Sequence, residues 1–201
     1  MKFKLLMALA CCSFITHAVS GQHLFYPVIV VKKAPEGVFS FNKKWGYPEG
    51  IIKHDNGKFE KTDGEKLEAA DTAHMYFTAN CKTNVQGGYI VKYCYATRKR
   101  GNISLNFSGG MPAYANEFHL ILKNKAFYFD PRVVYPELII DEKIVYKVTG
   151  CKLILYQKNY AVANNISGYI KALFTETIQN SKKGTQTNKY YLEGYFKTTL
   201  N

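Results

Sequence analysis

Acidic side chains are scarce in this 201-residue sequence: 15 Asp and Glu stand against 27 Lys and Arg, a formal charge of +12. Among so few carboxylates no pair stands out as the acid and base of a glycosidase, although two such groups can lie far apart in a chain. The five histidines fall in separate segments, with no HExxH, no pair at helical ligand spacing and no GxSxG elbow. Cys81, Cys94 and Cys151 follow neither CxxC nor any zinc spacing. Asp55-Asn56-Gly57 and Asp63-Gly64-Glu65 are not continued by ligands to a Glu at the twelfth position, so they read as turns, not calcium loops. No metal or cofactor is expected, and binding is expected ahead of catalysis. An extracellular hydrolase built from scattered residues stays open as an alternative.

Long apolar runs are also missing. Beyond the first turns of the chain nothing approaches the roughly 18 apolar residues of a membrane span. Residues 1–20 are different: Met1-Lys2-Phe3-Lys4 is positive, Leu5 to Ile15 is almost wholly apolar, and Ala18-Val19-Ser20 supplies a small-x-small site. This is the pattern of a secretory signal peptide cleaved after Ser20. Cys11 and Cys12 raise lipidation as the competitor, but Ala8 and Cys11 stand where a lipoprotein box would carry Leu and a small residue respectively. The expectation is a single secreted or periplasmic domain over residues 21–201. Cleavage removes Lys2 and Lys4 and no acid, so the mature chain stays strongly basic. Such a surface attracts anionic glycans, anionic surfaces or an acidic protein partner. The bland alternative is solubility through net charge.

What is abundant is core-forming material: 47% of residues are hydrophobic and 15% aromatic, which excludes disorder. Period-two alternation dominates. In Asn102–Ser108 the odd residues Ile103, Leu105 and Phe107 are apolar and the even ones polar; Phe118, Leu120 and Leu122 alternate with His119, Ile121 and Lys123. A turn near Asn124 leads into Lys125–Phe129 as a hairpin. Further strands are expected at Tyr26–Lys32, Val38–Phe41, Met75–Cys81, Tyr89–Thr97, Lys143–Val148, Lys152–Gln157, Ile166–Thr175 and Tyr190–Leu200, with a flexible loop over Gln179–Asn188. The fold class this implies is all-β, a single antiparallel β-sandwich or alternatively a β-barrel. One short surface helix is expected over Gly64–Ala73 behind an Asp63 cap. Residues 34–64 have weak periodicity and read as an irregular cap or recognition loop.

Two stretches share one form: Ile166-Ser167-Gly168-Tyr169-Ile170-Lys171 and Leu192-Glu193-Gly194-Tyr195-Phe196-Lys197. Each glycine shares a face with apolar residues, where its missing side chain lets a ring or a backbone approach. In Tyr89–Tyr95 the same alternation turns Tyr89, Val91, Tyr93 and Tyr95 inward and Lys92 with Cys94 outward. Cys81 and Cys151 then both point to the core, and a Cys81–Cys151 disulfide with Cys94 free is the expected arrangement, a bulge being what would reverse it.

The candidate binding residues are the basic cluster Arg98, Lys99 and Arg100, with Trp45 and Tyr47 in the irregular segment. Cations beside aromatic faces can hold an anionic sugar or base. The leading expectation is a secreted basic binding or adhesion domain for glycans or other polyanions. The alternative, a barrel-type carrier of a small apolar ligand, needs an apolar interior that large side chains do not fill.

Overall fold

Alternating rows become strands because period two puts every apolar member on one side of a pleated chain. The computed structural model describes residues 24–43, 51–54, 56, 58–68, 76–109, 116–133, 142–157, 160–180 and 184–201. Its strands are β1 (Tyr26–Val30), β2 (Ile51–Lys53), β3 (Phe59–Lys61), β4 (Ala79–Thr83), β5 (Tyr89–Val91), β6 (Tyr93–Lys99), β7 (Asn102–Gly109), β8 (Asn116–Lys123), β9 (Ala126–Arg132), β10 (Glu142–Leu155), β11 (Asn165–Asn180) and β12 (Gly184–Thr199). Ten of them form one sheet in the order β5-β4-β12-β11-β10-β1-β9-β8-β7-β6, and β2 with β3 makes a separate hairpin.

The sheet curls until its two ends nearly meet, which replaces the expected sandwich with a barrel. β5 runs into β6 through Lys92, whose carbonyl accepts the N–H groups of Thr78 at 3.0 Å and Ala79 at 2.9 Å. Ala96 of β6 also bridges Leu200, just past β12, in parallel. There the Asn201 N–H donates to the Ala96 carbonyl at 3.0 Å, and the Arg98 N–H to the Asn201 carbonyl at 2.8 Å. The sheet is mixed, not purely antiparallel, because β1 lies parallel to β10 and antiparallel to β9. Near-closure pairs backbone groups that an open sheet would leave along its edges.

Two glycines permit the curvature. Gly168 of β11 faces Phe196 of β12, Gly194 of β12 faces Ile170 of β11, and Tyr169 stands opposite Tyr195. The internal similarity is therefore one antiparallel pair, with each glycine set against a bulky apolar residue. A Cβ on Gly168 would lie 2.3 Å from the Ile154 carbonyl oxygen and 2.8 Å from the Phe196 ring. One on Gly194 would lie 2.2 Å from the Asn80 carbonyl oxygen. Both sites admit neighbours that no side chain could share space with.

Several local expectations change. No helix occurs over Gly64–Glu68; residues 69–73 lie outside the described residues. Gly64 takes φ +76°, which cannot start a right-handed helix, and Asp63 Oδ1 accepts the Glu65 N–H at 3.0 Å as a turn instead. Val38–Phe41 is not a strand but leads into a 3-10 turn at Ser40–Lys43. Its Phe39 ring packs on Tyr156 and Tyr195 of the outer wall, and the Asn42 side-chain amide donates to the carbonyls of Phe77 and Lys197. This part of the irregular segment is a strap on the barrel wall. Gln179–Asn188 is largely strand, since β11 and β12 stay paired out to Asn180 and Gly184. β10 is continuous through the expected break, with a register shift between Val148 and Gly150.

Phenylalanines fill the middle of the barrel. Phe107 of β7 meets Phe196 of β12 edge-on at 5.3 Å, and Phe118 of β8 reaches Phe174 of β11 at 6.2 Å. Neither pair lies on adjacent strands, so the contacts cross the interior. Towards one end Phe174 is joined by Phe129, Tyr146 and Tyr190. Beside it the fully buried Glu176 accepts hydrogen bonds from Asn188 and Tyr190.

The expected Cys81–Cys151 disulfide is absent: Cys81, Cys94 and Cys151 are all free thiols. β12 and β11 separate β4 from β10, three strand spacings or roughly 14 Å along the wall against the 4.4–6.8 Å a disulfide spans. Lys92 carries the second correction. Two N–H groups converge on its carbonyl, so the alternation slips by one residue there, and Val91, Cys94 and Ala96 all point inward. Tyr93 thereby turns to the outer wall, where it packs on Phe77 at 5.9 Å. Burial raises the pKa of the Cys81 and Cys94 thiols well above its ordinary value, so both stay protonated and unreactive.

Candidate functional site

Among the described residues, the barrel end opposite Glu176 is open. The inward rows reach it as buried apolar residues and then change character: β6 runs Cys94, Ala96, Arg98; the β8 row runs Leu120, Leu122, Asn124; the β10 row runs Leu153, Leu155, Gln157. Apolar walls therefore finish in a polar rim. Between them lies a cavity of about 620 Å³, with Val28, Ile103, Leu122 and Leu155 below and Arg98, Asn124, Lys125, Gln157 and Tyr160 around the mouth. That volume suits a small organic molecule.

Tight turns hold the mouth. Arg100 and Gly101 take φ +50° and +81°, the left-handed pair of a two-residue hairpin loop, and this sets Arg98 opposite Ile103. Asn124, at φ +57°, reverses the chain between β8 and β9 and brings Lys125 to the rim. The third side is the segment from Tyr160 to Asn164. It is pinned by the Ala163 N–H donating to the Leu200 carbonyl at 2.7 Å and the Leu200 N–H to the Asn164 carbonyl at 3.0 Å. The Arg98 guanidinium donates to the Tyr160 carbonyl, and the Tyr160 hydroxyl donates to the Gln157 carbonyl. Burial pushes the Tyr160 phenol up to about 12, so it remains a neutral donor at physiological pH.

Of the basic cluster expected to bind, only Arg98 lines the cavity; Lys99 and Arg100 are exposed in the strand end and turn. Trp45 and Tyr47 lie outside the described residues. Lys125, Asn124, Gln157 and Tyr160 were not singled out by sequence reasoning. The usable signal was that inward rows end in polar residues, at Leu122 to Asn124 and Leu155 to Gln157.

His119 pairs with Glu117 on the wall at 2.8 Å, and His54 pairs with Glu60 on the β2–β3 hairpin at 2.8 Å. Among the described residues no three His, Cys, Asp or Glu side chains gather as a metal site, and no helix is long and apolar enough to cross a membrane. On the wall, Glu193 takes a hydrogen bond from Tyr169 and an ion pair from Lys171 at 2.9 Å. These hold its carboxyl below the ordinary range.

No family model, curated protein or solved structure matches this chain.

Proposed function

We propose that the protein binds and carries a small, largely apolar molecule in the open end of its barrel. One observation carries this reading: a cavity of about 620 Å³ whose lower wall is Val28, Ile103, Leu122 and Leu155. Phe107, Phe118, Phe174 and Phe196 occupy the middle of the barrel, so the ligand seat is a cup at one end and not a through-going lumen. Surface adhesion to a glycan or polyanion is less well supported, because of that basic cluster only Arg98 lines the cup.

Blocking the cup tests the reading. Val30 lines it at the mouth and is 49% exposed, so a larger side chain there has room to enter without disturbing the core. Val30→Trp is expected to weaken binding of a neutral polarity-sensitive dye such as Nile red at least tenfold, while the melting temperature stays within a few degrees of wild type. Equal dye binding by the variant would rule the cup out as the seat.

Carriage outside the cytoplasm is proposed with it, on the strength of the leader pattern in residues 1–20. Exported protein should begin at Gly21 on N-terminal sequencing. A retained Met1, or acylation at Cys11 or Cys12, would reject cleavage after Ser20.

A further inference from the structure

Resting on the carrier reading of the cup, we infer that its occupant is a single-chain amphipathic anion, with a carboxylate-type head at Arg98 and Lys125 and an apolar tail running down to Leu155. The cup is graded along its axis. Leu155 is 2% exposed, Leu122 6% and Ile103 8%, whereas Arg98, Asn124 and Lys125 at the mouth are exposed. An apolar tail gains by leaving water at the buried end. A charged head would lose its hydration there, so it belongs at the rim.

The sign of the head follows from what the rim holds. Its charged groups among the described lining residues are Arg98 and Lys125, with no carboxylate. Asn124 and Gln157 bring side-chain amides that can donate alongside them. The neutral Tyr160 adds no opposing charge. Among the described lining residues a cationic ligand would meet two like charges and no counter-charge, and a neutral one would leave both unused.

Arg98 is also held in place. One of its N–H groups is engaged by the Tyr160 carbonyl, and its backbone N–H by Asn201. A planar guanidinium already fixed on one side gives up less freedom when it receives a carboxylate on the other. Lys125 contributes a second, exposed point charge at the mouth. The excess of 27 basic over 15 acidic residues steers anions toward the whole molecule. Unlike that diffuse attraction, the rim pair discriminates between heads on the same tail.

Matched probes separate head recognition from tail recognition. Decanoate and decanol are titrated into the full mature chain by displacement of Nile red at low salt, below the micellar concentration of decanoate and the solubility limit of decanol. Decanoate is expected to bind about tenfold more tightly than decanol. Arg98→Gln should remove most of that advantage and Lys125→Gln part of it, with decanol affinity unchanged within about twofold in both. Because Arg98 also fastens the segment at Tyr160, Lys125→Gln keeps the test valid if Arg98→Gln folds poorly: among the described residues Lys125 is tied in only through its backbone carbonyl, which accepts the Val28 N–H and which the substitution leaves in place. Equal binding of decanoate and decanol by wild type would overturn the anionic head while leaving the carrier reading intact. Failure of both probes and of the dye would overturn the carrier reading itself. A head preference untouched by Lys125→Gln and by Arg98→Gln would show that bulk charge, not the rim, selects the ligand.

Discussion

Gly194→Ala is expected to destabilise the fold by about 3 kcal/mol, lowering the melting temperature by roughly 6–12 °C for a chain of this size. The new methyl carbon would stand 2.2 Å from the Asn80 carbonyl oxygen and 2.5 Å from the Cys81 α-carbon. Both obstacles are backbone atoms of β4, paired residue for residue with β12 as Gly194↔Cys81. No rotamer change can relieve the overlap. Either β4 moves away, losing its pairing with β12, or β12 flattens and strains the closure at Ala96–Leu200. Overpacking against flexible side chains costs about 1–3 kcal/mol, and a rigid neighbour puts this substitution at the top of that range. Gly150→Ala is the control. It lies at the register shift of β10, its φ is not left-handed, and the nearest atom to its Cβ is a Leu173 methyl at 3.9 Å. Denaturant unfolding of the two variants should differ by at least 2 kcal/mol. Equal stabilities would mean that β4 does not lie against β12 as described.

How much of this was legible in the sequence depends on how local the causes are. β7, β8 and β9 follow from alternation and a two-residue turn, and they form as expected because each strand pairs with its neighbour in sequence. The inward set of Ile103, Leu105, Phe107, Phe118, Leu120 and Leu122 was readable for the same reason. The Gly168 and Gly194 positions were readable as places of close approach, though not which backbone arrives. The parallel pairing of β1 with β10 joins Val28 to Leu153, and nothing in either stretch states that partner. The slip at Lys92 was invisible because Tyr89–Thr97 alternates well enough in either phase. That one residue moved Cys94 inward and Tyr93 outward. At the site, Arg98 was noticed for its neighbours Lys99 and Arg100, which do not line the cup. Its actual companions, Lys125 and Tyr160, come from other hairpins and meet it only when the barrel closes.

Phe174→Ala should cost still more, about 3–5 kcal/mol, the range for removing a buried phenylalanine. The ring is 1% exposed and touches Phe118, Phe129, Tyr146 and Tyr190, with centroids 6.2, 5.9, 6.4 and 5.6 Å away. These neighbours sit on β8, β9, β10 and β12, so one side chain links four parts of the wall. Collapse into the vacated space is hindered because each neighbour is held by its own strand. Phe174→Leu keeps most of the volume and should lose far less. The same variant also separates stability from binding. Leu155, in the buried wall of the cup beside Val30, is paired with Gly168, six residues and about 20 Å along β11 from Phe174. Folded Phe174→Ala protein, measured well below its lowered melting temperature, is therefore expected to bind decanoate within about twofold of wild type. Val30→Trp has the opposite signature, with binding lost and stability kept. If Phe174→Ala weakened decanoate as severely as Val30→Trp does, the ligand would have to reach the aromatic end, and the interior could not be closed off by phenylalanine as described.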